Sequence, residues 1–429
     1  MLNYPHLRQG IAYELRRVRN QGIARLPSKL AKRAIGVILC LVLLPVTAVL
    51  HLAGYRRVTV FTDRIGHLAL EPDCLLKEEA LGLVPRRRWF ILAPAGRVAN
   101  QHLLSYWRRF IRVYEGDATC FILASMSNFG LMRYDVSKYL LAARKPQAYR
   151  IFALWKDRPP LLALTQADED WGAQALRQLG LPEEAWFVCV HAREPGFSPV
   201  DEELQAHRNG SIEACIPAMK EIARRGGWVI RIGDPTMTRL SPLPQVIDYA
   251  HHPLKSDRLD IIVCARARFV LGNTSGIALV ASVFGVPCAV ANMVPIPTLW
   301  FNPCDISIPK LLWSEDLGRH LRFDEIFESP VARFRYASLY AKAKLRVQEN
   351  SADDITDLAV EMLERLDGKF AEFAEDERRL LRFRSLFRQD HYAVDSRARC
   401  GVLFLRRHSE FLGDSSVTVP ASPRVKRLN

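Results

Sequence analysis

The 429-residue chain is poor in the patterns by which a function is usually read. Its nine cysteines, at 40, 74, 120, 189, 215, 264, 288, 304 and 400, form no CxxC pair and are odd in number. That excludes an obvious zinc knuckle or thioredoxin motif and weighs against a disulfide framework, so a reducing compartment is expected. HExxH, EF-hand and GxSxG patterns are missing, as are a Walker GK[ST] loop and GxGxxG. No metal and no cofactor are therefore expected. There is no internal repeat and no low-complexity tract. With 49% hydrophobic and 25% charged residues, the composition excludes wholesale disorder, collagen and coiled coil. Two to three domains of about 150 residues suit the length.

Acidic residues are scarce at one end. The net charge is +14, but residues 1–57 hold ten Lys or Arg and a single acid, whereas the rest is nearly balanced. A basic stripe spread over a domain would favour nucleic acid. A basic block beside an apolar run favours anionic lipid, and this is the pattern present. The run is AIGVILCLVLLPVTAVLHLAG (34–54), 21 residues without formal charge. As one helix it would be about 31 Å long, enough to cross a bilayer. It starts too late for a signal peptide. Basic residues on both flanks and Pro45 in the middle suit a kinked or re-entrant segment returning to the cytoplasmic face. A true single span and a buried core helix are the alternatives.

From 58 to about 164, apolar runs VTVFT (58–62), RWFILA (88–93) and TCFILA (119–124) read as strands, with an amphipathic stretch at 98–113. Polar sequence at 156–160 and 166–170 reads as the exit from this unit. WFVCVH (186–191), WVIRIG (228–233), VIDYAH (246–251), FVLGN (269–273) and CAVAN (288–292) read as strands. Helices are expected over 211–225, 256–267 and 275–284. Buried-type strands alternating with helices indicate a doubly wound parallel sheet. The expected organisation is a basic N-terminus over 1–57, a first α/β unit over 58–170, a second over 171–330, helices over 331–416 and a frayed tail over 417–429.

Four segments carry candidate chemistry. In FVLGNTSGIALVASVFGVP (269–287) a strand ends at Gly272, and the turn Asn273-Thr274-Ser275-Gly276 opens a helix. Backbone N–H groups and the positive helix end then point at one spot, which suits a phosphate. The bland account is a helix cap with nothing bound. His191-Ala192-Arg193 follows a strand, and Arg suits bidentate phosphate contact. Arg231-Ile232-Gly233-Asp234 ends the next strand. Arg231 there makes either a phosphate or ribose contact or a structural ion pair with Asp234 or Asp257. DRIGHLALEPD (63–73) combines Asp63, Arg64, Gly66, His67, Glu71 and Asp73. Gly66 permits close approach of a ligand. His67 titrates near neutrality and is a plausible general base; Asp63, Glu71 or Asp73 are the carboxylate candidates.

On these motifs the chain resembles a family of bacterial glycosyltransferases marked by a RIGHLA-type segment, with VCVHAR (188–193), GGWVIRIGDP (226–235), VIDYAH (246–251), KSDRLDI (255–261) and FVLGNTSG with the following GVP (269–287). The resemblance spans about residues 58–300. More distantly, 272–287 is similar to the heptosyltransferase-like group of the GT-B fold, where such a turn binds the donor's nucleotide diphosphate. That group carries its catalytic base in a Gly-Asp pair. Here the pair is Gly66-His67, which moves the role to His67, Glu71 or Asp63. The resemblance implies a GT-B-like α/β protein with two Rossmann-like domains and parallel sheets, preceded by the apolar membrane segment. With the basic, apolar N-terminal segment and the lack of metal motifs, the expected protein is a membrane-associated, metal-independent transferase on the cytoplasmic face of the inner membrane, held there by residues 34–54. The partners would be a nucleotide-sugar donor, a surface-polysaccharide or lipid-linked glycan acceptor and an anionic membrane surface, with no nucleic acid. A nucleotide-sugar epimerase on the same fold and a non-catalytic nucleotide- or sugar-binding membrane protein are the alternatives.

Overall fold

The computed structural model describes residues 26–127, 130–140, 146–196, 199–296 and 298–413. The tail expected over 417–429 and the basic residues before 26 lie outside the described residues. Fourteen strands appear in the described residues: β1 Tyr55–Val58, β2 Arg88–Ala93, β3 Arg112–Glu115, β4 Arg133–Tyr134, β5 Phe187–His191, β6 Trp228–Arg231, β7 Val246–Asp248, β8 Val270–Gly272, β9 Cys288–Met293, β10 Ile306–Pro309, β11 Leu311–Ser314, β12 Arg319–His320, β13 Leu345–Gln348 and β14 Arg399–Cys400. They build a four-stranded sheet β3-β2-β1-β4, a seven-stranded sheet β14-β10-β9-β8-β5-β6-β7, and a small antiparallel sheet β12-β11-β13. The two larger sheets are parallel throughout.

The first sheet departs from the expected pattern in three places. β1 begins at Tyr55 and ends at Val58, so 59–64 is a loop rather than a strand, and a boundary at 57/58 would cut a strand that is paired on both sides. The run at 119–124 lies in a helix, Asp117–Met126, not a strand. Gly116, at φ 85°, turns the chain into it, and Asp117 complements the positive end of its first turn. Six apolar residues cannot by periodicity separate a buried strand from a buried helix. The polar 166–170 segment, expected as an exit, is the first turn of the helix Gln166–Gln178, with the Thr165 hydroxyl accepting from the Asp168 N–H at 3.1 Å.

The helix Ile65–Ala80 fills the other face of this sheet and contains Pro72. Proline cannot donate to the Leu68 carbonyl four residues back. The indole of Trp107 takes that place, donating to Leu68 O at 2.8 Å.

In the seven-stranded sheet every residue of β5, β8, β9 and β10 is buried, as helices on both faces require. The helix Asp257–Arg266 starts at Ser256, whose Oγ accepts from Leu259 N at 3.3 Å. The chain after 330 is not helical alone. β13 joins the small sheet and β14 extends the large one, while the helix Ala352–Leu366 packs on Ile216–Arg224. The two parallel sheets are stitched together by Asp257, whose carboxylate accepts from Gln101 N at 2.7 Å and whose carbonyl accepts from Asn100 Nδ2 at 2.9 Å.

The apolar N-terminal segment forms two helices, Leu26–Val42 and Leu44–Leu52, bent by 63° between Ala31–Val42 and Leu44–Leu52. Among the described residues no single helix is long and apolar enough to cross a membrane, although the bent pair is by length and composition. Pro45 lies in the first turn of the second helix, where its missing N–H leaves no bond unmade. The pair lays a narrow stripe on the first sheet. Cys40 and Thr47 are buried, and Leu43 and Leu50 pack against Phe90, Leu92, Met126 and Met132.

Candidate functional site

Both parallel sheets reverse their strand order once. In the large sheet β5 runs outward to β6 and β7, and the chain then returns to the other side of β5 with β8 and continues to β9. The switch point lies between the carboxyl ends of β5 and β8, at His191–Arg193 and Gly272–Gly276. In the small parallel sheet it lies between β1 and β4, beside the loop with Asp63 and Arg64 and the helix start with Gly66 and His67. Crevices at such switch points are where open α/β sheets bind ligands.

The two switch points face each other. A Cβ placed on Gly66 would lie 2.7 Å from the Cα of Gly276, and one on Gly276 would lie 2.8 Å from the nitrogen of Gly66. No side chain fits at either position unless backbone moves. The helices Ile65–Ala80 and Gly276–Val283 therefore meet N-terminus to N-terminus, with residues 63–67, the last of the loop and the first turn of its helix, on one wall and the 273–276 turn on the other.

On the second wall, Asn273 is buried and ties the turn to the segment after β5. Its Oδ1 accepts from Arg193 N at 3.0 Å and its Nδ2 donates to Arg208 O at 3.1 Å. The Arg208 guanidinium donates to the Thr274 carbonyl. Thr274 is 4% exposed and its Oγ1 has no partner. The Ser275 side chain makes no capping bond, so it does not satisfy the first-turn N–H groups of the helix that starts at Gly276. His191 is 5% exposed, and its Nδ1 donates to Ile232 O at 3.1 Å. Burial, reinforced by Arg231, Arg193 and Lys255, pushes it down to about 4. His191 is thus a neutral ring whose buried Nε2 has no partner.

Three residues on this wall escaped the sequence reading. Arg208 and His207 lie in a segment without a recognisable motif, and Lys310 follows β10. Lys310 is 2% exposed and donates to Asn209 O at 2.6 Å. Burial lowers its ammonium from 10.5 to about 8. The same Asn209 accepts from the Arg193 guanidinium through its side chain. His207 is pushed down to about 3 by burial and then by Arg208, Lys310 and Arg193, which shows how closely these three cations gather. Glu202 lies 3.7 Å from Arg193.

On the first wall, the Nδ1 of His67 bonds the Oε1 of Glu71 at 2.7 Å. His67 is partly exposed and Glu71 is fully buried. With Glu71 ionised its carboxylate only accepts, so Nδ1 carries the hydrogen and Nε2 is the ring nitrogen left open. Burial raises the Glu71 carboxyl and the His67 contact opposes it. Glu71 is thus placed to orient the His67 ring and is itself shut off from solvent. Asp63 and Arg64 are exposed at the mouth of the loop. Asp73 is fully buried against Lys77 at 2.7 Å and does not reach the crevice.

Arg231 also turns away. It is fully buried and its partners are Asp248 at 3.0 Å and Glu194 at 3.2 Å, not Asp234 or Asp257. The carboxylates belong to β7 and to the loop after β5, so this is a structural network across neighbouring strands. Gly233 packs under Met237, whose sulfur would lie 2.5 Å from a Cβ placed there and would have to swing aside. Asp234 accepts from Thr236 N at 2.9 Å and shapes the turn. The one D-x-D triplet in the sequence, Asp168-Glu169-Asp170, lies in the first turn of the helix Gln166–Gln178. Asp168 is paired to Arg258 at 2.8 Å and bonded by the Tyr106 hydroxyl. Among the described residues no group of three or more His, Cys, Asp or Glu side chains is placed to hold a metal ion.

No protein-family model matches the chain, and no curated protein matches it in sequence. Among solved structures it is similar to the E. coli ADP-heptose LPS heptosyltransferase II, at 13% identity and a TM-score of 0.37 over 54% of this chain and 83% of that one. It is similar to a family 9 glycosyl transferase from Veillonella parvula at 10% identity and 0.35, over 55% and 79% of the two chains. It is also similar to the E. coli heptosyltransferase WaaC with ADP at 15% identity and 0.30, over 54% and 86%. At these scores the likenesses carry no weight for function, which has to come from the crevice itself.

Proposed function

We propose that the protein is a glycosyltransferase with a GT-B-like architecture, taking a sugar from a nucleoside diphosphate donor. The observation that supports this most is the meeting of two parallel-sheet switch points at Gly66 and Gly276. One wall offers helix N–H groups and clustered cations, and the other offers an oriented imidazole. In this reading the donor's diphosphate lies on 272–276, with Arg193, Arg208 and Lys310 supplying positive charge. Nε2 of His67 takes the proton of an acceptor hydroxyl as its oxygen bonds the anomeric carbon. The bond from that carbon to the diphosphate oxygen breaks, and the nucleoside diphosphate leaves with the electron pair. The helix end and cations stabilise that developing charge, which supports a reaction without a divalent metal.

The bent apolar pair supports membrane attachment, at the cytoplasmic face of the inner membrane in a cell with two. An acceptor that is lipid-linked or part of a surface polysaccharide suits that attachment. The test is thermal stabilisation of the full chain by a panel of nucleoside diphosphates and their sugars, followed by transfer assays with the ligands that bind. Stabilisation that disappears in Gly276→Val, together with sugar release to an acceptor, is expected. Absence of stabilisation by every nucleotide overturns the reading, and tight binding without any transfer favours a non-catalytic binder.

A further inference from the structure

The amino edge of the first sheet, opposite the crevice, gathers arginine. Arg56 and Arg57 lie on β1, Arg86 and Arg87 precede β2, and Arg88, Arg112 and Arg133 open β2, β3 and β4. Arg86, Arg87, Arg88, Arg112 and Arg133 are exposed. They form one patch rather than a scatter. The Arg88 guanidinium sits 5.3 Å from the Tyr55 ring, and the Tyr55 and Tyr114 hydroxyls act on Arg112. Arg87 is near enough to Arg56, and Arg133 to Arg57, to lower their partners after burial does. Among the described residues none of these seven makes an ion pair with a carboxylate, whereas nearby Arg108 pairs with Glu115 at 2.5 Å.

The patch joins the bent helix pair. Arg56 donates to the His51 carbonyl at 2.9 Å, and the His51 ring bonds the Leu131 carbonyl. Outward from there the pair exposes Ile35, Val37, Ile38, Leu41, Val42, Leu44, Val46, Val49 and Leu52, with Leu52 at 85%. Surface of this apolar extent is not left to water in a soluble monomer. One carboxylate lies among them, Glu79, which accepts from Arg87 N at 2.9 Å and Trp89 Nε1 at 2.8 Å. The remaining excess of like charge is self-repelling and is relieved by a dense anionic surface. Apolar side chains continuous with unpaired guanidinium groups match the acyl region and the phosphates of a bilayer. They do not match a nucleic acid, which offers nothing for the apolar half.

We infer that the arginine patch at the amino edge of the first sheet is a second membrane contact, which binds anionic headgroups while the bent helix pair enters the apolar layer. This rests on the membrane reading of the helix pair. Together the two contacts fix the orientation of the first sheet, so that its carboxyl edge and the crevice face away from the lipid.

The test is flotation of the full chain with vesicles of phosphatidylcholine alone and of phosphatidylcholine mixed with phosphatidylglycerol. The native protein should bind both and prefer the mixed vesicles. Each patch arginine near the surface is worth about 5-fold in affinity. Arg86→Gln/Arg87→Gln should cut the preference roughly 25-fold, leave binding to neutral vesicles unchanged, and keep nucleotide binding. Arg112→Gln/Arg133→Gln should do the same and guards against one pair misfolding. An unchanged preference in both variants, with neutral binding intact, overturns the arginine contact alone. Failure of the native protein to float with neutral vesicles defeats the membrane reading of the helices and this inference with it. An oligonucleotide that outcompetes the mixed vesicles overturns the choice of lipid.

Discussion

Replacing Lys310 by methionine should move stability and ligand binding in opposite directions. The ammonium is 2% exposed, its hydrogen bond is to a backbone carbonyl, and burial lowers it from 10.5 to about 8. A lysine lowered on folding favours the uncharged form. The unfolded chain takes up the proton first, so stability is lost as pH falls from about 10.5 to about 8 and stays lost below. The shift corresponds to about 3 kcal/mol at neutral pH. Lys310→Met keeps the stem and removes the charge, but leaves the Asn209 carbonyl without a donor, at about 1–1.5 kcal/mol. The ligand-free variant should therefore be more stable by about 1–2 kcal/mol at pH 7. A bound diphosphate supplies the missing counter-charge, so the variant should bind nucleoside diphosphates about 10- to 150-fold more weakly. In the native protein that binding raises the Lys310 pKa and takes up a proton, so affinity should fall as pH rises above about 8 and the variant should lack this fall. Thermal midpoints without ligand and calorimetry at pH 7 and above pH 8 read all three effects. A variant that is less stable and binds nucleotide normally would refute the reasoning and leave Lys310 as a structural donor to Asn209.

Four further outcomes are expected. His67→Ala should lower turnover by about 10²- to 10⁴-fold without altering nucleotide affinity, with Glu71→Gln also slower and its pH profile displaced, since Glu71 acts through the imidazole. Gly66→Ala should cost about 1–3 kcal/mol, because the new Cβ meets backbone at Gly276 that cannot rotate away; a thermal midpoint within error of the native would count against the close crossing. His191 and His207 are held down to about 4 and about 3, so stability should fall as pH drops from about 6.5 towards 4, by about 2 kcal/mol each at pH 5. Denaturant midpoints at pH 7 and 5 check this, and His191→Gln/His207→Gln should flatten the difference. A chain starting at residue 58 should fail to fold, because β1 loses three of its four residues, whereas one starting at 54 keeps the strand and should be destabilised through the uncovered Phe90 and Leu92.

What the sequence could reveal was local, and the crevice shows where locality ends. The turn at 272–276 was legible because strand, small-residue turn and helix follow one another along the chain. The same holds for His67 and Glu71, four residues apart on one helix. Charge patterning at the N-terminus pointed to lipid, and Pro45 to a bend, although the bend falls at Leu43 and part of the segment serves as a cover for the first sheet. The run at 119–124 was misread because both a strand and a helix can bury it. Arg231 is the clearer case. A buried arginine demands carboxylates, and nearby acids were the natural candidates, yet in a parallel sheet the neighbours of β6 are β5 and β7. The acids that reach it come from Glu194 and Asp248, which only strand order could identify.

The same separation explains why two of the three clustered cations were missed. Arg193, Arg208 and Lys310 span more than a hundred positions and are brought together by the chain at 207–210 passing under the turn. Arg193 was marked by its place after a strand, but Arg208 and Lys310 have no motif, because this wall is assembled by tertiary structure around a locally encoded turn. Gly66 and Gly276 make the point in its strongest form. Each reads alone as a residue that lets a ligand approach. Together they let two helix N-termini approach each other, and that contact turns two separate binding turns into one crevice. If the proposed reaction holds, a change at either glycine should therefore disturb both the donor site and the base, and not merely the wall on which it lies.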